Sequence, residues 1–168
     1  FGAQTAGVSQ GSLPDGVDSV VPFPGSPTPG ESNYRLITNL VINEALTHTD
    51  PPLEDAIELH NPTASPVSVT GWYLSNSRDN LRKYQITNSA PIPAGGYAVF
   101  YEYQFDNGTT NAFALNSAYG DEIWLAATDT ASLHQINAIR PAYNFRCFAG
   151  LHPCEVKDNY REELNSIK

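Results

Sequence analysis

At 168 residues, 40% of them hydrophobic and 11% aromatic, the chain is large enough for one domain with additions and too apolar for a disordered tail. Its 18 acidic against 9 basic residues leave a formal charge of −9, which argues against nucleic acid and anionic lipid as partners and leaves cationic partners or divalent ions. No apolar run approaches the roughly 20 residues of a membrane-spanning helix, so no direct membrane insertion is expected.

The chain opens Phe1-Gly2-Ala3-Gln4 and contains no Met, so it is read as a piece of a longer protein, with no signal peptide in view. Residues 1–33 hold a large share of the Gly and Pro. Leu13-Pro14-Asp15-Gly16 and Pro27-Thr28-Pro29-Gly30 signal turns, with Val20, Val21 and Phe23 as one short strand between them. Regular structure begins with the strand Leu40-Val41-Ile42-Asn43-Glu44-Ala45. Ala56-Ile57-Glu58-Leu59-His60-Asn61 alternates apolar and polar, the period of a half-buried strand, and Asn61-Pro62-Thr63 turns it. Val67-Ser68-Val69 alternates again, and Gly71-Trp72-Tyr73-Leu74-Ser75 follows at once. Tyr84-Gln85-Ile86 is short. Ile92-Pro93-Ala94-Gly95-Gly96 then turns into the strand Tyr97-Ala98-Val99-Phe100-Tyr101. Asp106-Asn107-Gly108 signals a hairpin. Phe113-Ala114-Leu115, Glu122-Ile123-Trp124-Leu125-Ala126 and Leu133-His134-Gln135-Ile136 complete the strands. Only residues 158–167 suit a short helix, with Tyr160, Leu164 and Ile167 on one face. Short strands with turn chemistry between them predict an all-β, antiparallel sandwich or barrel.

Five motifs, in order, resemble the lamin tail domain, an immunoglobulin-like β-sandwich. They are Val41-Ile42-Asn43-Glu44-Ala45, the run from Ile57 to Pro62, the run from Val67 to Ser75, the run from Ile92 to Tyr97, and the run from Gly120 to Leu125. The resemblance implies a sandwich over about residues 36–139. Its expected core is Val41, Ile57, Leu59, Trp72, Leu74, Val99 and Leu125. Residues 1–33 resemble the closing segment of the same domain type, through Gly7-Val8-Ser9-Gln10-Gly11 and the two turn motifs. In the family that segment comes last. Here it either ends a preceding copy or supplies a strand to this sandwich, in its own chain or a neighbour's. The expected closure after Ile136 is replaced by Pro141-Ala142-Tyr143-Asn144-Phe145-Arg146-Cys147. The division is therefore residues 1–33 as closing segment or docking strand, 34–140 as sandwich, and 141–168 as a cysteine-containing loop and tail.

Cys147 and Cys154 are expected to form a disulfide, because the loop between them brings them together, and a disulfide implies an oxidising compartment. With His152 they supply three metal ligands, one short of a structural zinc site. Gly7-Val8-Ser9-Gln10-Gly11 matches a nucleophile-elbow pattern, but Ser12-Leu13-Pro14-Asp15-Gly16 breaks the helix that elbow needs. Glu44 and Glu58, on neighbouring strands, are read as structural carboxylates bonding backbone groups or an arginine such as Arg78 or Arg82, not as an acid–base pair. No two of the histidines His48, His60, His134 and His152 have a metal-face spacing. Asp50, Glu54 and Asp55 form an acidic loop, a solvated rim or a calcium site, and Asp121-Glu122 form another. Tyr73 and Trp124 are the candidate aromatic contacts for a ligand. The alternation leaves the exposure of Trp124 open and assigns Trp72 to the core. Asn107-Gly108-Thr109 is a glycosylation sequon as well as a turn. The resulting expectation is a non-catalytic structural or binding module of a larger secreted or cell-surface protein, without a cofactor. Its partners are other domains of the same parent or neighbouring copies. The alternatives are a glycan-binding accessory module of an extracellular hydrolase and a strand-donating subunit of an extracellular filament.

Overall fold

The computed structural model describes residues 2–47, 49, 52–87, 89–116, 121–129 and 135–145. Turn-rich sequence at the front folds on itself: β1 (Ser9–Ser12) pairs antiparallel with β2 (Val20–Phe23) as a separate hairpin. Its strand was therefore half foreseen, and β2 finds its partner within the segment rather than at an edge of the sandwich. Phe23 is buried there beneath Gly11 and Asn33. The link to the sandwich is β3 (Arg35–Leu36).

The sandwich has two sheets. One has the order β4 (Val41–Leu46), β5 (Ala56–His60), β8 (Tyr97–Tyr101). The other has the order β3, β10 (Gln135–Phe145), β9 (Asp121–Asp129), β6 (Tyr73–Ser75), β7 (Tyr84–Gln85). All pairings are antiparallel except β3 with β10. As far as Phe145, the stretch that departs from the expected closure is thus strand: β10 runs through Pro141 and stays paired with β9.

Ile42, Ala45, Ile57, Leu59 and Phe100 of the smaller sheet share one buried core with Leu74, Ile123, Leu125 and Ala127 of the larger. Of the expected core, Ile57, Leu59, Leu74 and Leu125 are buried. Val41 and Trp72 are only half-buried, and Val99 is exposed. Strand parity explains the difference. On β8 the purely apolar Phe100 faces inward, which turns Val99 outward with Tyr97 and Tyr101. On β4 a bulge between Ile42 and Glu44 lets Ile42 and Ala45 both face the core, leaving Val41 beside His60. Trp72 lies just before β6 and packs at the core's margin.

The hairpin expected at Asp106-Asn107-Gly108 is absent. β8 instead runs into the one-turn helix α1 (Glu102–Phe105). Phe105 is buried and stacks on Phe113 at 4.9 Å, and Phe113 N donates to Phe105 O (3.1 Å). That aromatic anchor folds residues 106–113 back as a loop. Val67 makes only an isolated bridge to Ile92.

The turn before β8 depends on two glycines. Gly96 N donates to Pro93 O (2.9 Å), and Gly95 sits at φ +65°. A Cβ on Gly96 would lie 3.1 Å from Pro93 O and as near to its ring. Gly96→Ala should therefore lower stability by about 1–3 kcal/mol, the usual range for forcing atoms into filled space. Urea unfolding measures this. A loss of a few tenths would show that the turn adjusts freely.

Candidate functional site

The outward face of the β4-β5-β8 sheet collects exposed aromatic side chains. Inward Ala98 and Phe100 leave Tyr97 (55% exposed), Val99 (40%) and Tyr101 (45%) in one row on β8. Tyr103 (65%), on α1, extends the row. The register sets His60 opposite Tyr97, Glu58 opposite Val99 and Ala56 opposite Tyr101. The His60 and Tyr97 rings stack at 4.4 Å, with His60 Nδ1 3.1 Å from Gly96 O. Tyr101 and Tyr103 lie nearly parallel, 9° apart with centroids at 6.3 Å. Behind this row, burial raises the Tyr84 phenol above its ordinary value of 10.0, and the nearby Tyr103 adds to the shift.

Carboxylates surround the tyrosines. Glu58 accepts from Asn43 Nδ2 (2.6 Å), and Glu44 is its cross-strand neighbour. Tyr103 N donates to Glu54 Oε2 (3.5 Å), and Asp55 N donates to Glu102 Oε2 (3.4 Å). The described basic side chains lie elsewhere: Arg35 on β3, and Arg78, Arg82 and Lys83 in the connection from β6 to β7. Among the described residues this face therefore carries carboxylates, tyrosines and one histidine, and no lysine or arginine.

The residues singled out from sequence fall in different places. Trp124, left open, is buried. It lies with Ala126 on the outer side of the five-stranded sheet, covered by Tyr34, Tyr73 and Leu81, with the Arg78 guanidinium 5.9 Å above its ring. Tyr73 is half-buried against it. This pair is packing, and its rings are not an open platform. Glu54 is exposed, while Asp55 is buried and accepts from Thr49 Oγ1 (2.8 Å). Asp50 lies outside the described residues, as do Cys147, Cys154, His48, His134 and His152. Among the described residues, no three His, Cys, Asp or Glu side chains converge as metal ligands. Asn107 is exposed, its Nδ2 donating to Gln104 O (3.1 Å). Arg78 pairs with Glu31 of the front segment, not with Glu44 or Glu58. Beside that pair is a groove of about 610 Å³, lined by Asp15, Glu31, Tyr34, Arg78, Leu81 and Arg82 among others. Its charges are mixed, and Arg78 and Glu31 already neutralise each other. Ser9 lies on β1, and a second strand rather than a helix follows it.

Sequence reasoning missed Tyr97, Tyr101 and Tyr103. The signal was present: a strand with Tyr at both ends and Phe between favours Tyr outward, since its hydroxyl tolerates water.

The sequence model of the Lamin Tail Domain family matches residues 36–139. This chain belongs to that family. The match spans the sandwich from β3 to β10, and its first and last residues, Leu36 and Ile139, are register partners. The hairpin β1–β2 lies outside the matched residues of this lamin tail domain. No curated protein and no solved structure matches the chain. The immunoglobulin-like fold of the family is generally non-catalytic.

Proposed function

We propose that this lamin tail domain is a non-catalytic attachment module of a larger secreted or cell-surface protein, and that it binds through the outward face of β4, β5 and β8. The observation that carries the reading is the joint exposure of Tyr97, Val99 and Tyr101 on a sheet whose other side is the core, with Tyr103 of α1 exposed beside them. Contiguous exposed aromatic surface rimmed by polar groups marks interaction sites. The close spacing of Cys147 and Cys154 and the exposed sequon at Asn107 support an extracellular setting.

Tyrosine nitration tests the reading without knowledge of the partner. Tyr97, Tyr101 and Tyr103 should react readily in the purified chain. They should react several-fold more slowly in the intact parent protein on its source cells. Equal labelling in both settings would mean that nothing covers this face and would remove the proposal.

A further inference from the structure

We infer that the partner docking on this face is an extended segment carrying lysine or arginine, which adds as a strand to the outer edge of β8. The inference rests on the reading of this face as the attachment surface and names its occupant.

The backbone supplies the first part of the argument. Asn61 N donates to Gly96 O (2.9 Å) and Glu102 N donates to Asp55 O (2.8 Å). Hydrogen-bonded pairs in an antiparallel ladder recur at every second residue, so Ala98 and Phe100 direct their amides and carbonyls to β5. Those of Tyr97 and Val99 point away, and among the described residues β8 has no further neighbour in its sheet. Tyr101 N is occupied by Gln104 Oε1 (2.8 Å), and α1 then closes the edge. The open stretch is thus short, residues 97–99, and offers both donors and acceptors to an incoming strand.

Charge supplies the second part. Glu44, Glu54, Glu58 and Glu102 lie on or beside the face, without a lysine or arginine among its described residues. An added strand lies about 4.8 Å beyond β8 and about 9.6 Å from β5. A lysine or arginine pointing to this side of the sheet lays its methylene stem on exposed Val99 and brings its charge to Glu58. The stacked rings of Tyr101 and Tyr103 offer π-faces to a second cation two residues along. A neutral sugar uses neither the carboxylates' charge nor a backbone ladder, and His60 already covers one face of Tyr97.

The test uses the full chain and three probes: a labelled peptide of alternating Lys and Val, the same peptide with Glu for Lys, and a neutral soluble polysaccharide. The Lys peptide should bind, more weakly as salt rises, and the Glu peptide should not. Glu58→Gln and Tyr101→Ala should each weaken binding about fivefold, the scale of a partly screened ion pair or cation–π contact. Val99→Pro should abolish binding, because it removes only an outward N–H and leaves the β5 ladder intact. If Val99→Pro fails to fold, the other two variants and the Glu peptide still decide. Wild-type affinity in those variants, equal binding of both peptides, or no peptide binding would overturn the inference. Binding of the polysaccharide alone would overturn it while leaving this face as the attachment surface.

Discussion

Asn61→Asp should destabilise the protein by about 3–5 kcal/mol at pH 7, the cost of leaving a buried charge without a partner. Asn61 is fully buried at the end of β5. Its Nδ2 donates to Ser65 O (2.8 Å), Ile92 O (2.9 Å) and Pro93 O (3.0 Å), and its Oδ1 accepts from Thr63 N (3.0 Å) and Thr63 Oγ1 (2.7 Å). Asp turns the donating side into an anion facing three carbonyl oxygens. Asn61→Ala should cost less, about 1–3 kcal/mol, because Ile92 O and Pro93 O keep the backbone donors Val67 N and Gly96 N. The Asp variant also has a pH signature. Burial and the facing carbonyls hold the folded-state carboxyl pKa above its unfolded value of about 4. The penalty is therefore smallest in acid, where the protonated carboxyl donates, and grows as pH rises through and above that unfolded value. Urea unfolding of both variants at pH 4 and pH 7 measures it. A loss under about 1 kcal/mol at pH 7 would mean that the 61–65 and 92–96 segments hold together without this side chain.

Trp124→Ala should cost about 3–5 kcal/mol, the range for removing a large buried aromatic. For a domain of this size that is a fall in Tm of roughly 10 °C. The indole fills the space between the five-stranded sheet and Tyr34, which immediately follows the front segment, so its loss should also loosen that segment and speed proteolysis within residues 24–33. Trp72→Ala, at the core's margin, should lose distinctly less. Equal losses at the two tryptophans would contradict the packing described.

The fold was legible in sequence wherever one residue settled the parity of a strand. On β5, Ile57 and Leu59 alternate with polar Glu58 and His60, and both face the core. On β8, Val99 and Phe100 compete for the interior, and apolar alternation alone let either win; the tyrosines at both ends were the signal that decides it. Trp124 stands in a continuous apolar run because its sheet is covered on both sides, by the core and by Tyr34 with Leu81. A run without alternation hides which of its members a distant segment covers. Asn61 appeared as a turn residue within a family motif. Its role as the clamp between two motifs depends on carbonyls some thirty positions away, as its bond to Ile92 O shows. α1 was missed because one turn has no period to detect, and its anchor, Phe105 on Phe113, is made across a loop. The aromatic face went unread for the same reason as the core: both follow from the inward turn of Phe100.

The parallel pairing of β3 with β10 has a mechanical consequence. Tension on the backbone enters the matched domain along β3 and leaves it along β10, and the two strands run side by side in the same direction. Pulling at these two points slides one strand past the other. The bonds around Arg35–Ala138 and Leu36–Ile139 are then loaded together in shear, instead of opening one after another like a zipper. A pairing of only two residues on each strand is thus the one that carries a stretching load first.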